Sequence, residues 1–343
     1  MPPIVELNES IQKMKKIFIF ALATLTFVAC KNDKDNEPEV TTQEPVKEVS
    51  AGAAYFLNAV AFNGVFTECS TGMAVVADYK KNVRAQQTDE EPPYPLVTWT
   101  PQDGTWPIDL TINYGPNPVI GRDGLEHSGV MQLHATGLFE TPGSVLTPKF
   151  TDFHTYGTIV NGLQTITNKG ANEAGNLVFE VKVQDGRLGE KPVFVYDELS
   201  MREMIEPGKF SITGTLKSTS QVDTIPGFEA TANTEAPMVI AFGDLYPTAG
   251  VVHVTFDTPL EYALGSYFSE PMFQDLTAKV NNIDFTFLGL KSTGVYSARM
   301  DMDATVSMFT VSMDYHMAAT FDLNKDGVIP ESIQYEQPEQ KQP

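Results

Sequence analysis

The chain has 343 residues, 42% of them apolar and 10% aromatic, enough for one large domain or two ordinary ones with a real core. Its 44 acidic against 23 basic side chains give a net charge of -21. That balance argues against binding nucleic acid, where affinity rests on cations facing phosphates, and against charge-driven docking on anionic lipid.

Residues 1–13 (MPPIVELNESIQK) carry Glu6 and Glu9 ahead of a better start at Met14, and read as a mis-assigned start. Met14-Lys15-Lys16 is a short basic stretch, Ile17 to Phe27 is an almost purely apolar run, and Val28-Ala29-Cys30 follows. Basic start, apolar centre and small residues before a cleavage point are the marks of a secretory signal peptide over 14–29. The apolar run is shorter than the ~20 residues of a bilayer-spanning helix. Phe27-Val28-Ala29-Cys30 resembles the lipobox of bacterial lipoproteins, with Phe27 where that family usually has Leu. The resemblance implies that the Cys30 thiol receives a diacylglyceryl group, that the chain is cut before it, and that the new amino terminus is acylated. A cleaved signal with a chance Cys is the competing reading.

Residues 30–50 are rich in Lys, Asp, Asn, Glu, Thr and Pro, too polar to bury a core, and read as a flexible acidic tether. Lys31 followed by Asn32, Asp33 and further acidic residues resembles the surface-export signal of Bacteroidota lipoproteins, which implies delivery to the outside of the outer membrane.

The segment 51–105 begins with a short helix predicted near residues 50–63: Ser50 is placed to cap it, Ala54, Leu57 and Ala61 share a face, and Gly64 ends it. A strand is the competing reading. Cys69 has no His near it in sequence, and a small buried hydrophobe is its expected role. Residues 85–104 hold Pro92, Pro93, Pro95 and Pro101, and read as a long connection.

From Trp106 the apolar period becomes two. Ile108, Leu110, Ile112 and Tyr114 alternate with polar residues, as do Met131, Leu133 and Ala135, then Leu177 to Val183, Ile212 to Leu216, Val252 to Phe256 and Ile283 to Phe287. The longest case puts Val311, Met313, Tyr315, Met317, Ala319 and Phe321 on one face. An interruption near Met308-Phe309 suggests a bulge. Strict alternation predicts antiparallel sheet with one buried and one wet face. Turn signals separate the runs at Pro142-Gly143, Asn172 to Gly175, Asp185-Gly186, Pro207-Gly208, Pro226-Gly227 and Gly289. The expected fold is all-β over 106–330, with ten or more mostly antiparallel strands in an extended twisted sheet or a sandwich. Residues 331–343 read as a disordered tail.

Trp106-Pro107-Ile108-Asp109-Leu110-Thr111-Ile112-Asn113-Tyr114, Gly121-Arg122-Asp123-Gly124, Glu140-Thr141-Pro142-Gly143-Ser144 and Thr165-Ile166-Thr167-Asn168 are similar to a group of Bacteroidota lipoproteins in which such pieces recur in this order. The resemblance implies that Asn161-Gly162 lies inside a strand or at a bulge, where the dipeptide alone reads as a type I′ hairpin turn. It carries no biochemical activity to this chain.

The best metal candidate is Asp322-Leu323-Asn324-Lys325-Asp326-Gly327-Val328. Side-chain oxygens of Asp322, Asn324 and Asp326 and the carbonyl of Val328 have the spacing of a calcium loop, which makes weak Ca2+ the one cofactor weighed, against an Asp/Asn/Gly-rich turn that simply ends the last strand. The departures are Pro330 at the ninth loop position and Ile333 where the bidentate Glu belongs. His127, His134, His154, His253 and His316 show no ligand spacing, and His134, His253 and His316 fall on the polar parity of strands. There is no nucleophile elbow, phosphate loop, dinucleotide fingerprint or HExxH. Asp301 and Asp303 share a strand face, but sequence does not place a pair of carboxylates across a cleft. Trp99 and Trp106 read as core packing before a carbohydrate surface. Three functions stay open: a lipid-anchored envelope lipoprotein, surface-exposed, with a non-enzymatic β-rich binding or structural module; a lipid-anchored hydrolase of a surface polysaccharide or peptide; and an envelope carrier of an apolar ligand. The one expected partner is the membrane, through the N-terminal lipid.

Overall fold

The computed structural model describes residues 49–81, 95–103, 105–121, 124–155, 157–223, 226–263, 275–324, 327–336 and 339–341. The fold is all-β, with antiparallel pairing throughout and one helix among the described residues. By contact density the chain divides into two units: 56–221 with 231–247, and 1–55 with 222–230 and 248–343.

The first unit is a meander. Strands β1 (Leu96–Thr100), β2 (Ile108–Ile120), β3 (Glu126–Ala135), β4 (Val145–Thr155), β5 (Thr158–Ala171), β6 (Leu177–Leu188), β7 (Phe194–Glu206) and β8 (Lys209–Ser220) each pair with the next. After β9 (Phe228–Ala232), β10 (Met238–Ala241) returns to the other edge of β8, setting Met238 opposite Ile212. The expected alternation is present: Ile108, Leu110, Ile112 and Tyr114 are all buried on one face of β2. The Pro207-Gly208 turn closes β7 onto β8 with Glu206 opposite Lys209.

Helix α1 (Val49–Lys81) is longer than the sequence reading allowed. Gly64 does not end it, and Gly72 also lies inside it. A helical Gly costs ~1 kcal/mol, which burial on this scale outweighs. Of residues 61–69, only Asn63 is not fully buried, so this stretch of the helix is enclosed on nearly every side, as a helix inside a core must be. Ala61, Phe62, Val65, Phe66, Cys69, Met73 and Val76 join one cluster with Ile112, Met131, Leu146, Ile166, Val181, Phe210 and Ile240, which come from seven different strands. The sheet face therefore curls around the helix. Gly72 permits the closest approach: a Cβ there would stand 2.7 Å from Ile112 Cδ1.

Asn161-Gly162 lies within β5 at a register shift against β6, a bulge rather than a hairpin tip. Gly162 has φ +122°, and a Cβ there would stand 2.8 Å from Gly186 Cα, so the position requires glycine. Two turn expectations are corrected. Asp185-Gly186 is a bulge inside β6, with Asp185 at φ 51°, and Gly289 is a bulge near the end of a strand. Bulges and turns use the same Asp and Gly chemistry, so composition alone does not separate them. The Pro-rich connection contains β1, whose Trp99 is buried opposite Leu110. Residues 82–94 lie outside the described residues.

The second unit is also a meander: β11 (Gly250–Ala263), β12 (Thr277–Leu290), β13 (Tyr296–Met308), β14 (Val311–Asn324) and β15 (Gly327–Tyr335), with β16 (Glu339–Gln340) on β14. The interruption at Met308-Phe309 is a tight hairpin, with Met308 opposite Val311, and not a bulge. Its signal is Phe309, which takes φ 53°. Of the segment read as a disordered tail, 331–335 belong to β15 and 339–340 form β16. Their pairing with β14 supplies the order that their composition lacks.

Candidate functional site

Helix α1 brings polar groups into a core that is otherwise apolar. Glu68 is 0% exposed and accepts a hydrogen bond from Tyr114 Oη on β2 at 2.5 Å. Tyr114 packs against His127 and Phe153, with ring centroids 5.1 and 5.7 Å away. Nearer the start of the helix, Arg202 of β7 donates from Nη1 to Asn63 Oδ1 at 2.8 Å. Its Nη2 lies 3.6 Å from Glu198 Oε1, and its guanidinium sits 4.4 Å from the centroid of the Phe66 ring. Glu198 also accepts from Ser200 Oγ at 2.6 Å. Gln164 Nε2 of β5 donates to the Phe62 carbonyl at 3.1 Å, a bond at which the α1 backbone itself is held by the sheet.

Burial pushes the Arg202 guanidinium below its usual range, and Glu198 opposes the shift. The attraction to Glu198, the bond to Asn63 and the aromatic face together compensate a cation removed from water. Burial, and then the neighbouring Glu68, push the Cys69 thiol up, so it stays protonated and takes the role of a small hydrophobe expected from sequence. These groups are enclosed, so what they accomplish is placement: they fix the rotation and height of α1 inside the sheet, which purely apolar packing specifies less sharply. Sequence reasoning missed them because Arg202, Glu198 and Ser200 sit on a strand whose charges obscure its alternation. The one available signal was Glu68 inside an apolar helical run.

The second unit carries its polar groups on the solvent side of the strands. Three of the sequence histidines stand directly opposite an aspartate on the neighbouring strand: His134 with Asp109 in the first unit, and His253 with Asp284 and His316 with Asp303 in the second. The His134 and His316 Nδ1 atoms lie 2.7 and 3.1 Å from the Asp oxygens, and His253 is bonded in the same way. They are cross-strand pairs of half-exposed groups, each a modest contribution to sheet pairing. His154 Nδ1 meets the Asp152 carbonyl at 2.8 Å, and His127 is enclosed between Tyr114 and Phe153.

Asp301 and Asp303 do lie on one face of β13, bridged by His316 at 3.3 and 3.1 Å. Both are occupied. Arg299 bonds Asp301 through Nε and Nη2 at 2.8 Å each and also pairs with Glu336, while Lys341 pairs with Asp303. Five charged side chains and one histidine thus tie the C-terminal segment across β14 to β13.

The calcium-like sequence is a hairpin between β14 and β15. Asp322 accepts two bonds from Lys291 Nζ, at 2.6 and 2.9 Å. Asn324 faces Gly327 across the strands and Val328 faces Leu323. Asp326, like Cys30, lies outside the described residues. The structure thus brings a lysine to the carboxylate that leads the motif. Among the described residues no group of three or more His, Cys, Asp and Glu side chains is placed to hold a metal ion. Trp99 and Trp106 both pack in or against the core of the first unit. No described helix is long and apolar enough to cross a membrane. No family model, no curated protein and no solved structure matches the chain.

Proposed function

We propose that this chain is a lipid-anchored cell-envelope lipoprotein of the outer membrane, exposed at the surface, whose β-rich body serves binding or structure and not catalysis. The observation that carries the reading is Lys15-Lys16, the apolar run to Phe27 and Cys30, followed by a polar acidic tether to the start of α1. Several acyl chains on one residue suffice for stable anchoring, where a single myristoyl chain does not. The acidic body suits a solvated exported protein and repels other acidic surfaces.

Two features weigh toward the non-enzymatic alternative. The carboxylate pair singled out in the sequence, Asp301 and Asp303, is engaged by Arg299, Lys341 and His316. The apolar sheet face a carrier would offer in the first unit is filled by α1 of the same chain. The test is mass spectrometry of the protein isolated from membranes, with palmitate labelling in parallel. The expected result is a chain that begins at an acylated Cys30, with labelling lost in Cys30→Ala. An unmodified Cys30, or a chain that still begins upstream of it, overturns the reading.

A further inference from the structure

The β13–β14 hairpin ends in an apolar surface of the second unit. Its tip exposes Phe309 by 67%, Val311 by 54% and Met313 by 44%. Register sets Val311 opposite Met308 and Met313 opposite Val306, so all four strand residues share a face. The reverse face is polar and internally bonded: Thr305 Oγ1 donates to Asp314 at 2.7 Å, and the Ser307 and Ser312 hydroxyls lie 2.8 Å apart. β12 pairs with the β13 edge as far as Ser307, opposite Thr277, while β16 covers the β14 edge only as far as Tyr315. Residues 304–313 contain no charged side chain, in a chain whose residues are 20% charged.

A two-stranded ribbon, apolar on one side and uncharged at its end, is suited to an apolar–aqueous interface. A second copy is a poor occupant: each copy carries -21, and five side chains fall far short of the roughly 800 Å² per partner of a stable protein interface. Lipid demands neither shape complementarity nor opposite charge from a neutral tip, only apolar area that enters the headgroup boundary. We propose that the Phe309–Met313 tip is a bilayer-contact site that enters a neutral phospholipid surface and sets the orientation of the body on the membrane. It rests on the anchored-lipoprotein reading only for the nearness of a bilayer.

The test uses the full chain as isolated from membranes, carrying Phe309→Trp, with phosphatidylcholine vesicles whose acyl chains are or are not brominated. Flotation reports whether the chain is membrane-bound, and emission relative to the unsubstituted chain reports the tip. The expected result is loss of the added indole's emission in brominated vesicles and a weaker loss when Val311→Asp is added. A chain that floats without quenching at 309 overturns the tip proposal and leaves the anchor. A chain that floats and is quenched at 309 but carries no lipid on Cys30 by mass spectrometry keeps the tip and removes the anchor. A chain that does neither overturns both. Phe309→Asp that turns a dimer into a monomer in sedimentation, without quenching in the first variant, assigns the patch to a second copy and also overturns the proposal.

Discussion

Phe66 is where the apolar and polar contacts of α1 meet, and its truncation tests the architecture most directly. The ring is 1% exposed and makes edge contacts with Phe139, Phe179 and Phe210 at centroid distances of 5.6, 5.9 and 5.1 Å. The Arg202 guanidinium lies over it. Phe→Ala in a core costs about 3–5 kcal/mol through lost transfer energy and the cavity left behind. Three edge contacts and an uncovered buried cation put this site at the upper end, about 4–5 kcal/mol. Phe66→Leu keeps most of the volume and is expected to cost ~2 kcal/mol, the lost aromatic contacts included. Both tryptophans, Trp99 and Trp106, lie in the same unit as Phe66, so tryptophan fluorescence, excited where tyrosine does not absorb, follows that unit during urea unfolding. For a unit of this size, ~4 kcal/mol corresponds to a fall in Tm of roughly 8–16 °C. A loss below ~2 kcal/mol in Phe66→Ala would refute the placement of α1 inside the sheet, because a helix resting on an open face gives up far less on truncation.

Three further outcomes follow from the same geometry. Arg202→Ala leaves Glu198 enclosed without its cation and is expected to cost about 3–5 kcal/mol in urea unfolding; Arg202→Met combined with Glu198→Gln recovers part of that loss, and no recovery in the double variant would contradict the pairing. Gly162→Ala places a Cβ against Gly186 at a φ that L-residues avoid, so it is expected to destabilise by at least ~2 kcal/mol, while Gly143→Ala, with open space around it, costs only the backbone strain. Glu203 accepts bonds from Asn176 and Asn172 at 2.7 and 2.8 Å, which hold its carboxyl below the ordinary Glu value. A carboxyl lowered on folding adds stability that is present above the unfolded value of ~4.3 and fades as pH falls through the folded one; carboxyl-carbon NMR titration is expected to show this, with Asn176→Ala moving Glu203 back up, and an unmoved titration would remove the cause assigned.

What could be read from sequence followed burial on one side. β2, β6 and β12 declare themselves because water on one face and core on the other force a period of two, and Pro207-Gly208 announces its turn because both residues suit the required backbone. Where that asymmetry fails, so does the reading. The α1 residues around Phe62 to Cys69 are enclosed on nearly all sides, so no polar face marks their period, and two glycines mislead about its length. β7 carries Glu198, Arg202 and Glu203, charges that obscure its alternation; Glu198 and Arg202 pair with each other, but the Asn63 that also holds Arg202 and the Asn172 and Asn176 that hold Glu203 lie outside a local window. The polar seat of α1 was illegible for the same reason. The calcium-like spacing was visible in the sequence, but the lysine that binds its leading carboxylate lies in another hairpin.

The enclosure of α1 also dictates an order of events. The helix precedes the strands that surround it, and its ties to them span long stretches of chain: 102 residues from Phe62 to Gln164 and 139 from Asn63 to Arg202. Each hairpin of the meander can close locally and quickly, whereas sealing the sheet over the helix waits for β8 and β10 to be made. A chain made amino terminus first must therefore keep a greasy rod unsatisfied until most of its body has emerged. That interval is when a chaperone would have something to grip, and any slip in strand register leaves the rod outside its sleeve.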